Sequence, residues 1–175
     1  MVFLVPLFLI KYLIHRAPDF FDWRSGVYEF PKELDTLELE SWRIIDEGDY
    51  QKYLTLTPAE KNRKILQIEE LLAEDYQTPS YKAKLLFELG NLLVVQKQYK
   101  EALASYDQAL NFKPDDAGIF YNKACCYALQ GNVALALENL ERAIKPNPEK
   151  YREMAKTDSY FDTIRDDIQF QVLIQ

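Results

Sequence analysis

Cys125 and Cys126 stand side by side in this chain of 175 residues, and thiols are the side chains best suited to redox or metal chemistry. Their spacing argues against both. Neighbouring side chains on a helix diverge, so no ordinary structural disulfide closes between them, and His15, the single histidine, lies far away in sequence. The pair is expected to be buried as small apolar residues, in a reducing compartment. Carboxylates cluster at Asp46, Glu47 and Asp49 and at Asp162, Asp166 and Asp167, which is the raw material of acid–base work. They read more simply as solvated helix ends and faces, with Arg165 in reach for pairing. No phosphate-cradling glycine loop and no metal-ligand cluster occurs. The chain is therefore read as a non-enzyme, with no catalytic residues, no metal and no cofactor.

Charge narrows the partners. The net charge is -7, and it is uneven: residues 1–60 hold 6 basic and 11 acidic side chains, residues 61–175 hold 15 and 17. Phosphate contacts need clustered Lys and Arg, so nucleic acid is excluded as the main partner.

The elements that must position these residues read as all-α, since no strand-like alternation is sustained. Residues 1–16, MVFLVPLFLIKYLIHR, are apolar apart from Lys11, His15 and Arg16. As a helix, Met1 to Ile14 would span about 21 Å, short of the roughly 30 Å hydrocarbon layer. Two placements fit: a membrane anchor with the basic residues on the cytoplasmic side, or a helix packed on the protein's own core or on a partner. Residues 17–57 form an aromatic-rich connector with helices, an untidy one over Glu33–Glu47 and a short one near Tyr50–Leu56.

Boundaries sharpen from there. Thr57-Pro58-Ala59-Glu60 is a helix start with a capping box and proline at the first position, and a helix is expected over 58–75. Thr78-Pro79, Asn147-Pro148 and Asp158-Ser159 are further starts. Over the rest a pattern repeats at an offset of 34 residues: Gly90 matches Ala124, Ala102 matches Ala136, Tyr106 matches Leu140, Ala109 matches Ala143 and Pro114 matches Pro148. Such a period is the mark of stacked helix hairpins. Gly90 and Ala102 are expected to be small so that the two helices of one hairpin can cross there, with Tyr106 filling the space beyond. Lys123 replaces Leu89, its stem lying along the hairpin and its amine in water.

The segments ELGNLLVVQKQYKEALASYDQAL and YNKACCYALQGNVALALENLERAI resemble tetratricopeptide repeats, the first full unit being 83–116 and the second 117–150. The resemblance implies a short right-handed α-solenoid over 58–175, with residues 151–175 as a terminal cap in which Phe161, Ile164, Phe170 and Leu173 cover the last apolar face. It implies a concave groove that holds a partner's peptide or helix, lined by Lys84, Phe87, Asn91, Tyr121, Asn122, Cys125, Arg152 and Lys156. A subset of such repeats holds a peptide carboxylate with a Lys, two Asn and two further cations. Asn91, Asn122, Arg152 and Lys156 match four of those places, whereas Phe87 stands where the first Lys would be. Phe87 and Tyr121 are expected on the open face, with the chain's own N-terminal segment as an alternative occupant.

The function expected is an adaptor or scaffold in the cytoplasm that binds a protein or peptide. The alternative is a membrane-tethered, co-chaperone-like assembly factor anchored through residues 1–16. The closing stretch DSYFDTIRDDIQFQVLI is similar to repeat proteins of cyanobacteria and plastids, which carry out such assembly. Partner identity and oligomeric state are left open by the sequence.

Overall fold

A computed structural model describes residues 50–73 and 77–175, within one compact unit, Ile44–Gln175. The apolar segment 1–16 and the helix expected over Glu33–Glu47 lie outside the described residues, as does most of the connector. Every element described is helical. In order they are α1 (Tyr50–Thr55), α2 (Pro58–Leu72), α3 (Pro79–Val95), α4 (Tyr99–Phe112), α5 (Ala117–Leu129), α6 (Val133–Ile144), α7 (Pro148–Thr157), a 3-10 turn (Ser159–Ile164) and α8 (Ile168–Leu173).

The starts follow from capping. Thr57 accepts from the Glu60 amide and the Glu60 carboxylate accepts from the Thr57 amide, so two free N–H groups at the head of α2 are satisfied together. Thr78, Asp116, Asn132, Asn147, Asp158 and Asp167 cap later starts. The helix expected over 58–75 ends at Leu72, with Ala73 as its C-cap.

The two full units close in the same way. In the first, the Gln98 amide donates to the Leu93 carbonyl and the Lys97 amide to that of Val94; in the second, Asn132 donates to Tyr127 and Gly131 to Ala128. This pair of hydrogen bonds ends a helix with one residue in the left-handed region. Gly131 adopts φ 73° there without strain, but the first unit holds Lys97 at φ 62° in the same place.

The hairpins α3–α4 and α5–α6 pair antiparallel neighbours, and α4 meets α5 as α6 meets α7, so successive hairpins stack. Ala102, Ala109, Ala124, Ala136, Leu140 and Ala143 are fully buried along these crossings. One expectation is corrected. What requires glycine at 90 is the ring of Tyr106, because a Cβ there would lie 2.3 Å from Tyr106 Cε1. In the second unit Leu140 replaces the ring, and Ala124 fits.

The cap is compact. Phe161 and Phe170 are fully buried with ring centroids 5.3 Å apart, and Ile164 is buried beside them, whereas Leu173 is only half-buried. The Thr163 hydroxyl donates to the Ala128 carbonyl at 2.8 Å, pinning the turn to α5. Arg165 donates to the carbonyls of Lys156 and Asp158 and to the Asp162 carboxylate, so a single guanidinium holds the bend between α7 and the turn.

Candidate functional site

Successive first helices of the units, α3, α5 and α7, carry the candidate residues, and the seams between them sort those residues into supports and exposed groups. In the first seam Asn91 is buried at the centre of a polar network. Its Oδ1 accepts from the Tyr106 hydroxyl at 2.8 Å and from Asn122 Nδ2 at 2.7 Å, and its side chain also bonds the buried Glu88. Glu88 in turn accepts from the Tyr53 hydroxyl on α1. Four helices are thus joined through side chains, and each residue of this buried network has a partner within it.

Burial raises the Glu88 carboxyl above its ordinary range, while the Tyr53 hydrogen bond and the Lys64 and Lys84 charges pull it partly back. Burial likewise raises the Tyr53 phenol, with the Glu88 charge adding to it. Tyr106 is pushed well up by burial too.

The second seam belongs to the cap. The Tyr121 ring meets Tyr151 at 5.5 Å and stands edge-on to Phe161 at 5.7 Å, and its hydroxyl donates to Asp158 Oδ2 at 3.1 Å. Cys125 Sγ lies 3.9 Å from the same carboxylate. Tyr121 is 3% exposed and Cys125 4%, so the expectation of an open aromatic at 121 is corrected: α7 and the 3-10 turn bury it. Phe87, its counterpart in the first unit, is half-buried at 6.0 Å from the Tyr106 ring.

The groups left at the surface are mostly cationic or amide. Lys84, Asn122 and Arg152 are half-buried and Lys156 is exposed, paired with Glu153 at 2.7 Å. The Arg152 Nε–H is buried and meets no acceptor among the described residues. Lys123 does not place its amine in open water as expected, since Nζ pairs with Asp107 on α4 and the side chain is 12% exposed. Both cysteines are buried and unbridged, and burial raises both thiols, Cys126 to about 11. Among the described residues no group of His, Cys, Asp and Glu could hold a metal ion, and no helix is long and apolar enough to cross a membrane.

The sequence alone did not single out Tyr53. Its signal was present: it lies 34 residues before Phe87, as Phe87 lies 34 before Tyr121, so an aromatic recurs at one phase of the repeat. The degenerate sequence around it concealed the phase.

Fold, seam chemistry and repeat phase together define an array of helical repeats, and the family comparisons agree. Residues 90–131 match the family described as TPR repeat and residues 117–150 the one described as tetratricopeptide repeat, so the chain carries such repeats. Among relatives, the chain is 33% identical over 93 residues to the Hsp70-Hsp90 organizing protein of Triticum aestivum, covering 53% of this chain and 15% of that one. It is 32% identical over 81 residues to a chloroplastic protein of Arabidopsis thaliana, covering 45% and 24%. It is 35% identical over 79 residues to Tetratricopeptide repeat protein 33 of Danio rerio, covering 45% and 28%. The match thus spans well under a third of each of these relatives.

Proposed function

We propose that the chain is a non-enzymatic adaptor that holds a partner's peptide on the face of α3, α5 and α7. Lys84, Phe87, Asn122, Arg152 and Lys156 make the contacts, with Asn91, Tyr121 and Cys125 supporting them from the seams. The observation that carries this is the group of cations and one amide that α3, α5 and α7 leave wholly or partly accessible, Lys84, Asn122, Arg152 and Lys156. Cations and an amide donor together favour a carboxylate ligand, so the peptide is acidic or ends there. Relatives named as Hsp70-Hsp90 organizing proteins support a role in bringing proteins together.

Fluorescence anisotropy with acidic peptides tests it, comparing free and amidated C-termini. Binding is expected to weaken at least about tenfold in Arg152→Glu/Lys156→Glu, since each charge-assisted hydrogen bond lost is worth roughly 1.5–3 kcal/mol. Unchanged binding in that variant would remove the reading.

A membrane-tethered assembly factor is the second reading, favoured by the apolar character of residues 1–16. Fractionation of the intact chain beside one starting at Glu33 separates the two. A full chain that stays soluble without detergent rules out the tether.

A further inference from the structure

The far end of the array carries a second surface, on elements distinct from the face discussed above. Ile168 and Val172 on α8 are 77% and 63% exposed, the two most exposed large apolar side chains among the described residues. With the half-buried Leu137 and Leu173 they line a groove of about 350 Å³ between α6 and α8. Its other wall is acidic, formed by Glu138 and Glu141, which are exposed and make no ion pair with a described residue.

Both walls repeat at the period of an α-helix. Ile168 and Val172 are four residues apart, and Glu138 and Glu141 three, so each pair presents one turn. A helix that lays an apolar i, i+4 pair on Ile168 and Val172 can set cations on one flank against both carboxylates. From this we propose that the groove docks an amphipathic helix of another protein, with an apolar ridge at i, i+4 and Lys or Arg along one flank. The charge of the rim selects for that flank, because a like-charged or neutral helix would leave both carboxylates unanswered beside an apolar contact. It also selects against an anionic membrane surface, which the same carboxylates repel.

The test uses the full chain and a labelled helical peptide of about 18 residues, long enough to be helical on its own, with leucines at i, i+4 and arginines on one flank. A second peptide carries glutamates in place of the arginines. The basic peptide is expected to bind, and its Kd to rise at least about tenfold in Glu138→Lys/Glu141→Lys and in Val172→Asp. The control Glu101→Lys/Asp115→Lys changes the net charge equally at exposed positions elsewhere, and is expected to bind as the wild type does. Circular dichroism verifies that each variant is folded. The proposal is overturned if the basic peptide does not bind, if the acidic peptide binds equally, or if the control pair weakens binding as much as the rim pair. It is also overturned if sedimentation shows that a second copy of the chain already covers Val172.

Discussion

The ring of Tyr106 lies against the backbone of Gly90 so closely that a β-carbon there would be 2.3 Å from Cε1, 2.6 Å from Cδ1 and 2.8 Å from Cζ. Tyr106 cannot withdraw easily, because it is 1% exposed and its hydroxyl is held by Asn91. Gly90→Ala is therefore expected to destabilise the fold by about 1–3 kcal/mol, the usual cost of overpacking. The second unit supplies the compensation, since it pairs Ala124 with Leu140. Adding Tyr106→Leu to Gly90→Ala should recover part of the loss, measured as a non-additive term in a urea-denaturation double-mutant cycle. Strict additivity would mean that the ring is not what demands the glycine.

Lys97 holds a left-handed conformation where the second unit has Gly131. Lys97→Gly should raise stability by up to about 1 kcal/mol, because a side chain in that region is strained and glycine is not. A lower urea midpoint in the variant would contradict this.

Glu88 is raised by burial, so in the folded state it holds its proton more tightly than in the unfolded state. Its contribution to stability is full below the unfolded pKa, about 4, and declines as pH rises through the higher folded value. Glu88→Gln keeps an acceptor for Tyr53 and has no charge to desolvate. The variant should be at least as stable as the wild type at pH 7 and lose that advantage as pH falls toward 4. Thermal melts across this range show it; a variant that is weaker at pH 7 and equal at pH 4 would indicate that the charge itself holds α1.

The thiols should be inert in the native state. Burial raises both, and Cys125 also faces the Asp158 carboxylate, which disfavours a thiolate beside it. Alkylation at pH 8 is expected to be slow in buffer and rapid in denaturant, with both sites modified together. Fast native modification of either site, located by mass spectrometry, would show that the seam opens.

Removing the cap should expose its partners. Without residues 151–175, Tyr121, Ala124 and Leu140 lose the aromatic cover of Tyr151, Phe161 and Phe170, and the fragment is expected to aggregate. The milder Arg165→Met frees two carbonyls and the Asp162 carboxylate, and should cost about 1–3 kcal/mol. A soluble 1–150 fragment that unfolds cooperatively would show the cap to be dispensable.

Much of the architecture was legible because its causes are local or strictly periodic. Thr57-Pro58-Ala59-Glu60 contains both halves of its own cap, and the offset of 34 pairs Ala102 with Ala136 and Ala109 with Ala143, all buried along the helix crossings. The candidate site was legible only in part. Asn91 and Asn122 are legible as an amide pair, but their spacing does not show that Asn122 donates to a buried Asn91 across the seam. Tyr121 is expected in the open because an aromatic on the open face of the first helix has no core role in the repeat. Its partners arrive from Tyr151, Asp158 and Phe161, on a cap whose irregular sequence gives no period to extrapolate.

The sequence by itself determined that the chain stacks helix hairpins, where most helices start, and which positions must stay small, since these depend on caps and on a phase repeated along the chain. The tertiary structure alone decided which polar side chains are support and which are surface. Hydrogen bonds such as Tyr53 to Glu88 and Tyr121 to Asp158 join residues 35 and 37 positions apart, and whether a side chain meets water or a partner depends on what the next layer brings against it.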